Sequence, residues 1–140
     1  MLDRWIGPLK ILGVEGLSSP FTYLGVFGNV FCLHTEDKNL LSASVNLAGH
    51  PKFWFGCPGQ SFPAVVAELQ NIFPADYERC PVAHRHKRYF LRPEVLRQKG
   101  IPVFEAVHDP GSIIITFPKA FHQGFNGGTL LRSPDQPGDI

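Results

Sequence analysis

The sequence predicts a mainly β domain, a sandwich or barrel of short strands with short helices inserted between them. Three observations lead there. Fourteen glycines and 13 prolines punctuate the chain and cut it into short elements. Brief runs rich in β-branched or aromatic residues recur along its length, and only two stretches carry apolar residues at helical spacing.

Strands are expected at residues 28–34, 40–47, 52–57, 88–91, 103–107 and 112–117. The first carries "VFCLH", the third is the aromatic run "KFWFGC", and the sixth, "SIIITF", follows a "DPG" turn. The longer helix is expected in "SFPAVVAELQNIFP", with Ser61 as N-cap, Pro63 in the first turn and Pro74 as the stop. Its Val65, Val66, Leu69, Ile72 and Phe73 recur at helical spacing, so its role is packing. The shorter one, "RPEVLRQKG", starts at Pro93, holds Lys99 in its last turn and stops at Gly100. Residues 129–140 are polar and rich in Pro, Gly and Asp, which reads as a frayed tail after a domain at 1–128.

At 140 residues and 44% hydrophobic, one globular domain has enough apolar surface for a core. A net charge of +1 argues against binding nucleic acid by phosphate neutralisation, and no direct sequence-specific nucleic-acid binding is expected. The run "HRHKR" at 84–88 reads as a solvated edge. No apolar run approaches the roughly 20 residues of a membrane span, and "MLDRWIGPLK" lacks a signal-peptide pattern, so no membrane partner and an intracellular, reducing setting are expected. Cys32, Cys57 and Cys80 form neither a disulfide framework nor a CxxC knuckle, and each alone reads as a small buried hydrophobe.

The chemistry concentrates in "FCLHTEDKNLLS" and "GSIIITFPKAFHQGFN". At strand spacing His34 and Glu36 project to one face, and His122 arrives just before Gly124. Two imidazoles and one carboxylate match the facial triad that holds non-haem Fe(II) with coordination positions left open. Spacing alone leaves a second reading standing, that of ordinary polar residues at strand ends, because any chain with six histidines offers many such combinations.

"SSPFTYLGVFGNVFCLHTEDKNLLSASVNLAGHPKFWFGCP", followed in order by "NIFP", "RHK", "RPEVLRQKGIP" and "GSIIITFPKAFHQGFN", resembles the JmjC (Jumonji C) domain of histone lysine demethylases, in the branch that reads HTED at its first ligand pair. The likeness runs from about Gly16 to Gly127. It implies a double-stranded β-helix, a cupin-like jelly-roll barrel, here truncated at both ends. It also implies an Fe(II)- and 2-oxoglutarate-dependent dioxygenase that uses O2 to demethylate methylated lysine on histone tail peptides, in the nucleus. The resemblance puts His34, Glu36 and His122 on the iron, and Phe31, Ser44, Lys52 and Trp54 on 2-oxoglutarate, with Lys52 facing its distal carboxylate. Gly16 and Tyr23 match positions of the methyl-lysine pocket, and Lys87 a position near the oxygen pocket.

Departures from the family pattern accompany these matches. Ser44 stands where an asparagine is usual, and the tyrosine that completes the distal carboxylate site would precede "RWIGPL". The last barrel strand would follow "GFNGG". Cys80 and His86 match two of four zinc ligands, which makes them vestigial and zinc binding unexpected, because half a tetrahedral site holds the ion poorly. Two alternatives follow: a catalytically weak or inactive chromatin-interaction module, and a protein hydroxylase using the same triad.

Overall fold

The computed structural model describes residues 21–128. Within them the chain runs β1 (Val30–His34), β2 (Ser42–Val45), β3 (Lys52–Gly56), α1 (Phe62–Ile72), α2 (Pro74–Arg79), α3 (Pro93–Arg97), β4 (Phe104–His108), β5 (Ile113–Thr116) and β6 (His122–Asn126). The architecture is mainly β with short helices inserted, as the punctuation of the sequence predicts. Every ladder is antiparallel: one sheet has the order β1-β6-β3-β4, and β2 pairs with β5 in a second. The pair is a jelly-roll fragment; among the described residues no ladder joins the two sheets into a closed barrel.

Alternation along β3 places Lys52, Trp54 and Gly56 on one face, and the register adds His108, Ala106 and Phe104 from β4 with Asn126, Gly124 and His122 from β6. This face looks towards β2 and β5, because the His108 ring lies within hydrogen-bond distance of the Asn46 amide just past β2. The apolar core lies elsewhere. Leu33, Val65, Leu69, Leu96 and Phe121 are buried with Tyr89 and Leu91 where the helices meet the β1 and β6 end of the large sheet. Each such side chain stabilises the fold by about 1.5–3 kcal/mol through removal from water. The helices therefore anchor one side of the sheet and leave the other for polar and aromatic groups.

Four local expectations are corrected. Residues 88–91 form no strand: Leu33 N–H bonds the Tyr89 carbonyl at 2.6 Å, and the buried Gln123 amide accepts from Leu91 N–H at 3.0 Å and donates to the Leu91 carbonyl. A side chain thus satisfies the backbone that a ladder would have satisfied. Pro74 does not only stop α1 but opens α2, since its missing N–H costs nothing in a first turn. Ser61 precedes α1 but makes no side-chain cap, because the 3-10 turn Gly59–Ser61 already leads into the helix. Finally, His84 is no part of a solvated edge; it is buried beside Phe62, Tyr77 and Phe121, while 85–88 are exposed. The tail at 129–140 lies outside the described residues.

Candidate metal centre

An irregularity in β1 builds the site. Phe31 lies opposite Gly124 and His34 opposite His122, so three steps on β1 match two on β6 and the register shifts between Phe31 and His34. In a regular strand residues three apart face opposite ways; the bulge brings Phe31 and His34 to the same face, the one that carries Trp54 and His122. Glu36 follows with an extended backbone, φ −62° and ψ 150°, at the start of the 3-10 turn Asp37–Asn39.

The ligand atoms of His34, Glu36 and His122 all lie within 4.8 Å of one another. The two imidazole rings are 4.3 Å apart, and Nε2 of His122 lies 3.4 Å from Oε1 of Glu36. Each ring is oriented by its other nitrogen: Nδ1 of His34 donates to the Cys32 carbonyl at 2.6 Å, and Nδ1 of His122 to the Ala120 carbonyl at 3.0 Å. Both histidines therefore present Nε2 to the centre, the arrangement in which a neutral imidazole binds a metal. Ser42 donates to Oε1 of Glu36 at 2.7 Å. The His122 side chain facing Oε1, with the hydrogen bond from Ser42, outweighs burial and holds the Glu36 carboxyl down to about 2. Burial, with the charge of His122 next, lowers the pKa of His34 and favours its neutral form.

The other expected residues fall at different distances from this centre. Trp54 stacks on His122, centroids 5.6 Å apart at 24°, and Phe31 packs on Trp54 at 4.6 Å. Lys52 is half-buried at the start of β3, and no carboxylate among the described residues pairs with its ammonium. Ser44 is half-buried opposite Ile114, two residues along β2 from Ser42. Lys87 pairs with Asp37, the neighbour of Glu36, at 3.2 Å. Tyr23 is exposed with its ring edge-on to Phe21, and Gly16 lies outside the described residues. Cys80 caps the end of α2 and His86 ends the turn Ala83–His86; among the described residues they do not gather with further His, Cys, Asp or Glu into a group of three.

Sequence reasoning missed Ser42, Thr116 and His108. Ser42 also lies 2.6 Å from the Thr116 hydroxyl, which fixes it beneath Glu36. The available signal was the alternation "LSASVNL", with Ser42, Ser44 and Asn46 turned inward and Leu41, Ala43, Val45 and Leu47 outward. Beside the centre a cavity of about 440 Å³ opens between the sheets, bordered by Trp54, Ala106, Ile114, Thr116 and His122.

Between the two jelly-roll sheets two imidazoles and one carboxylate converge, a donor set that could hold a metal ion in the manner of a facial triad. Residues 21–132 match the family described as JmjC domain, hydroxylase, and the chain belongs to that family. It is 33% identical over 115 residues to a Rattus norvegicus protein named Lysine-specific demethylase 4D, which covers 82% of this chain and 22% of the relative. A Mus musculus protein, Lysine-specific demethylase 4B, is 32% identical over 91% of this chain and 11% of its own length. For the Homo sapiens Probable lysine-specific demethylase 4F the identity is 33%, over 82% of this chain and 18% of that protein. The chain thus spans about a fifth or less of the length of these relatives. Among the described residues no helix is long and apolar enough to cross a membrane.

Proposed function

We propose that this chain carries the iron-binding core of an Fe(II)- and 2-oxoglutarate-dependent oxygenase that demethylates lysine on histone tails in the nucleus. The observation that carries the reading is the convergence of His34, Glu36 and His122 within 4.8 Å, with both Nδ1 atoms tied to backbone carbonyls. The donor set fits the metal: two imidazole nitrogens and one ionised carboxylate oxygen suit Fe(II) and leave one side of it open. When bound, iron and 2-oxoglutarate supply the oxidation: O2 is consumed, 2-oxoglutarate gives succinate and CO2, and the N-methyl group is hydroxylated and lost as formaldehyde.

The remaining roles belong to the chain. Glu36 stays ionised across the physiological range, and Ser42 fixes which of its oxygens faces the imidazoles. Phe31 and Trp54 form an aromatic wall between the centre and Lys52. His122 is level with Gly56 and Lys52 with Asn126, four residues further along the ladder, or roughly 13 Å of strand. A five-carbon 2-oxo diacid and the lysine stem together can span that interval. Lys87, held by Asp37, would border the oxygen side, and Gly16 and Tyr23 the methyl-lysine pocket. Zinc has no part in this reading.

Succinate formation from 2-oxoglutarate, with Fe(II), ascorbate and a trimethyl-lysine histone peptide, tests it beside His122→Ala. Peptide-stimulated turnover that disappears in the variant is expected. Ser44, too short to replace an amide, favours a second reading, an interaction module that retains the fold; metal binding without turnover would support that one. Turnover with unmethylated peptide alone would indicate a protein hydroxylase.

A further inference from the structure

The cosubstrate wall contains a residue with no assigned role. His108 is fully buried, lies directly opposite Lys52 across the β3–β4 ladder, and meets Trp54 edge-on with centroids 5.9 Å apart. Directly opposed residues on one face have Cβ atoms about 4.5–5.5 Å apart, so the imidazole stands beside the lysine stem. Its Nε2 lies 3.1 Å from the Asn46 amide nitrogen and 3.1 Å from the Ser112 carbonyl. The Asn46 backbone N–H, shared with the Ser112 carbonyl at 3.2 Å, reaches Nε2, and assigning Nε2 as its acceptor puts the ring hydrogen on Nδ1. In that tautomer Nδ1 is a donor, and it is buried without a partner among the described residues. So is Nε1 of Trp54, which can only donate.

Two orphaned donors thus belong to the neighbours of Lys52 on this face, and no carboxylate among the described residues pairs with its ammonium. Buried donors left unmade are costly, and donors gathered beside a cation suit one kind of group, an anionic oxygen acceptor. We infer that His108, through Nδ1, together with Lys52 and Trp54, grips the distal carboxylate of a 2-oxo diacid, as a positioning residue that discriminates five-carbon diacids from 2-oxo monoacids. The inference rests on the proposed cosubstrate and adds to it a residue outside the set that the family resemblance supplied.

The test is binding rather than turnover. The full chain loaded with Mn(II) is titrated calorimetrically with 2-oxoglutarate and with pyruvate, which shares the chelating end and lacks the distal carboxylate. His108→Gln can place its amide where Nε2 stood, towards Asn46 and Ser112, while removing the group at Nδ1. His108→Asn places an amide near Nδ1 and gives up that anchor. The Gln variant should bind 2-oxoglutarate about tenfold more weakly with pyruvate unchanged, and the Asn variant should keep the preference for the diacid despite lower stability. Equal 2-oxoglutarate affinities in wild type and His108→Gln, or parallel losses for both acids, would overturn the inference and leave the orphaned donors to a structural water. Failure of the wild-type chain to bind 2-oxoglutarate at all would instead count against the proposed cosubstrate.

Discussion

Ser42 donates a 2.7 Å hydrogen bond to the Glu36 oxygen that faces His122, and its own hydroxyl is held 2.6 Å from Thr116 across the β2–β5 ladder. The second sheet therefore orients the carboxylate of the candidate metal centre that the first sheet builds. Removing the hydroxyl frees the carboxylate to rotate and takes away one of the bonds that keep it ionised. For partners of this kind the usual cost in metal affinity is about 10–100-fold. Ser42→Ala should bind Mn(II) at least about tenfold more weakly at neutral pH with little change in fold, as read by titration calorimetry. Unchanged affinity would show that His122 alone orients Glu36.

Gln123 holds the segment before α3 in place. Its amide makes both hydrogen bonds to the Leu91 backbone, and Leu91 and Gln123 are both buried. Gln123→Leu matches the volume but leaves a buried N–H and C=O with no partner, at about 1–3 kcal/mol for each group. The variant should lose about 2 kcal/mol or more in urea unfolding, with His34 and His122 still able to take up metal. A loss below about 0.5 kcal/mol would mean that water replaces the amide.

Those two residues also mark the limit of what the sequence discloses. Aromatic and β-branched runs located β1 to β5 to within a few residues, and "HTED" with the distal histidine picked out three groups that the structure brings together. Residues 88–91 have the composition of a strand, yet a ladder needs a neighbouring strand throughout, and beyond the single Leu33–Tyr89 bond the partner here is one amide side chain contributed from 32 residues away. The strand His122–Asn126 was hidden because "HQGFN" is short and polar and holds a glycine that burial in the sheet demands. Ser42 and His108 went unnoticed for a related reason: their roles depend on which strand faces which, and only topology decides that.

Acid should weaken the metal-free protein in two stages. His34 has a lowered folded pKa, so below its ordinary 6.5 the unfolded chain takes up a proton that the folded protein resists. Stability is complete above that value and declines as the pH falls through it. Glu36, ordinarily 4.5 and held to about 2, repeats the pattern lower down: its contribution is present above 4.5 and is lost as the pH falls towards 2. Urea midpoints measured from pH 7.5 to 3 should fall across both windows, and Glu36→Gln should remove the slope below 4.5. An identical slope in the variant would assign the acid sensitivity to other carboxylates.

Gly124 has no side chain because Phe31 and the β3 backbone occupy the place of one. It lies in β6 opposite both Phe31 and Trp54, and a Cβ built there runs into the Phe53 carbonyl oxygen and the edge of the Phe31 ring. The ring could turn aside, but the carbonyl belongs to the ladder, so Gly124→Ala must spread β6 from β3 two residues from His122. Overpacking of this sort costs about 1–3 kcal/mol. It should also pull Phe31 from its 4.6 Å contact with Trp54, which in turn stacks on His122. The variant should unfold at lower urea, change the Trp54 fluorescence in a Trp5→Phe background, and bind Mn(II) more weakly than wild type. A stability loss with Trp54 emission and metal affinity unaltered would show that the sheet absorbs the methyl group locally, and that the aromatic wall is not mechanically coupled to the centre.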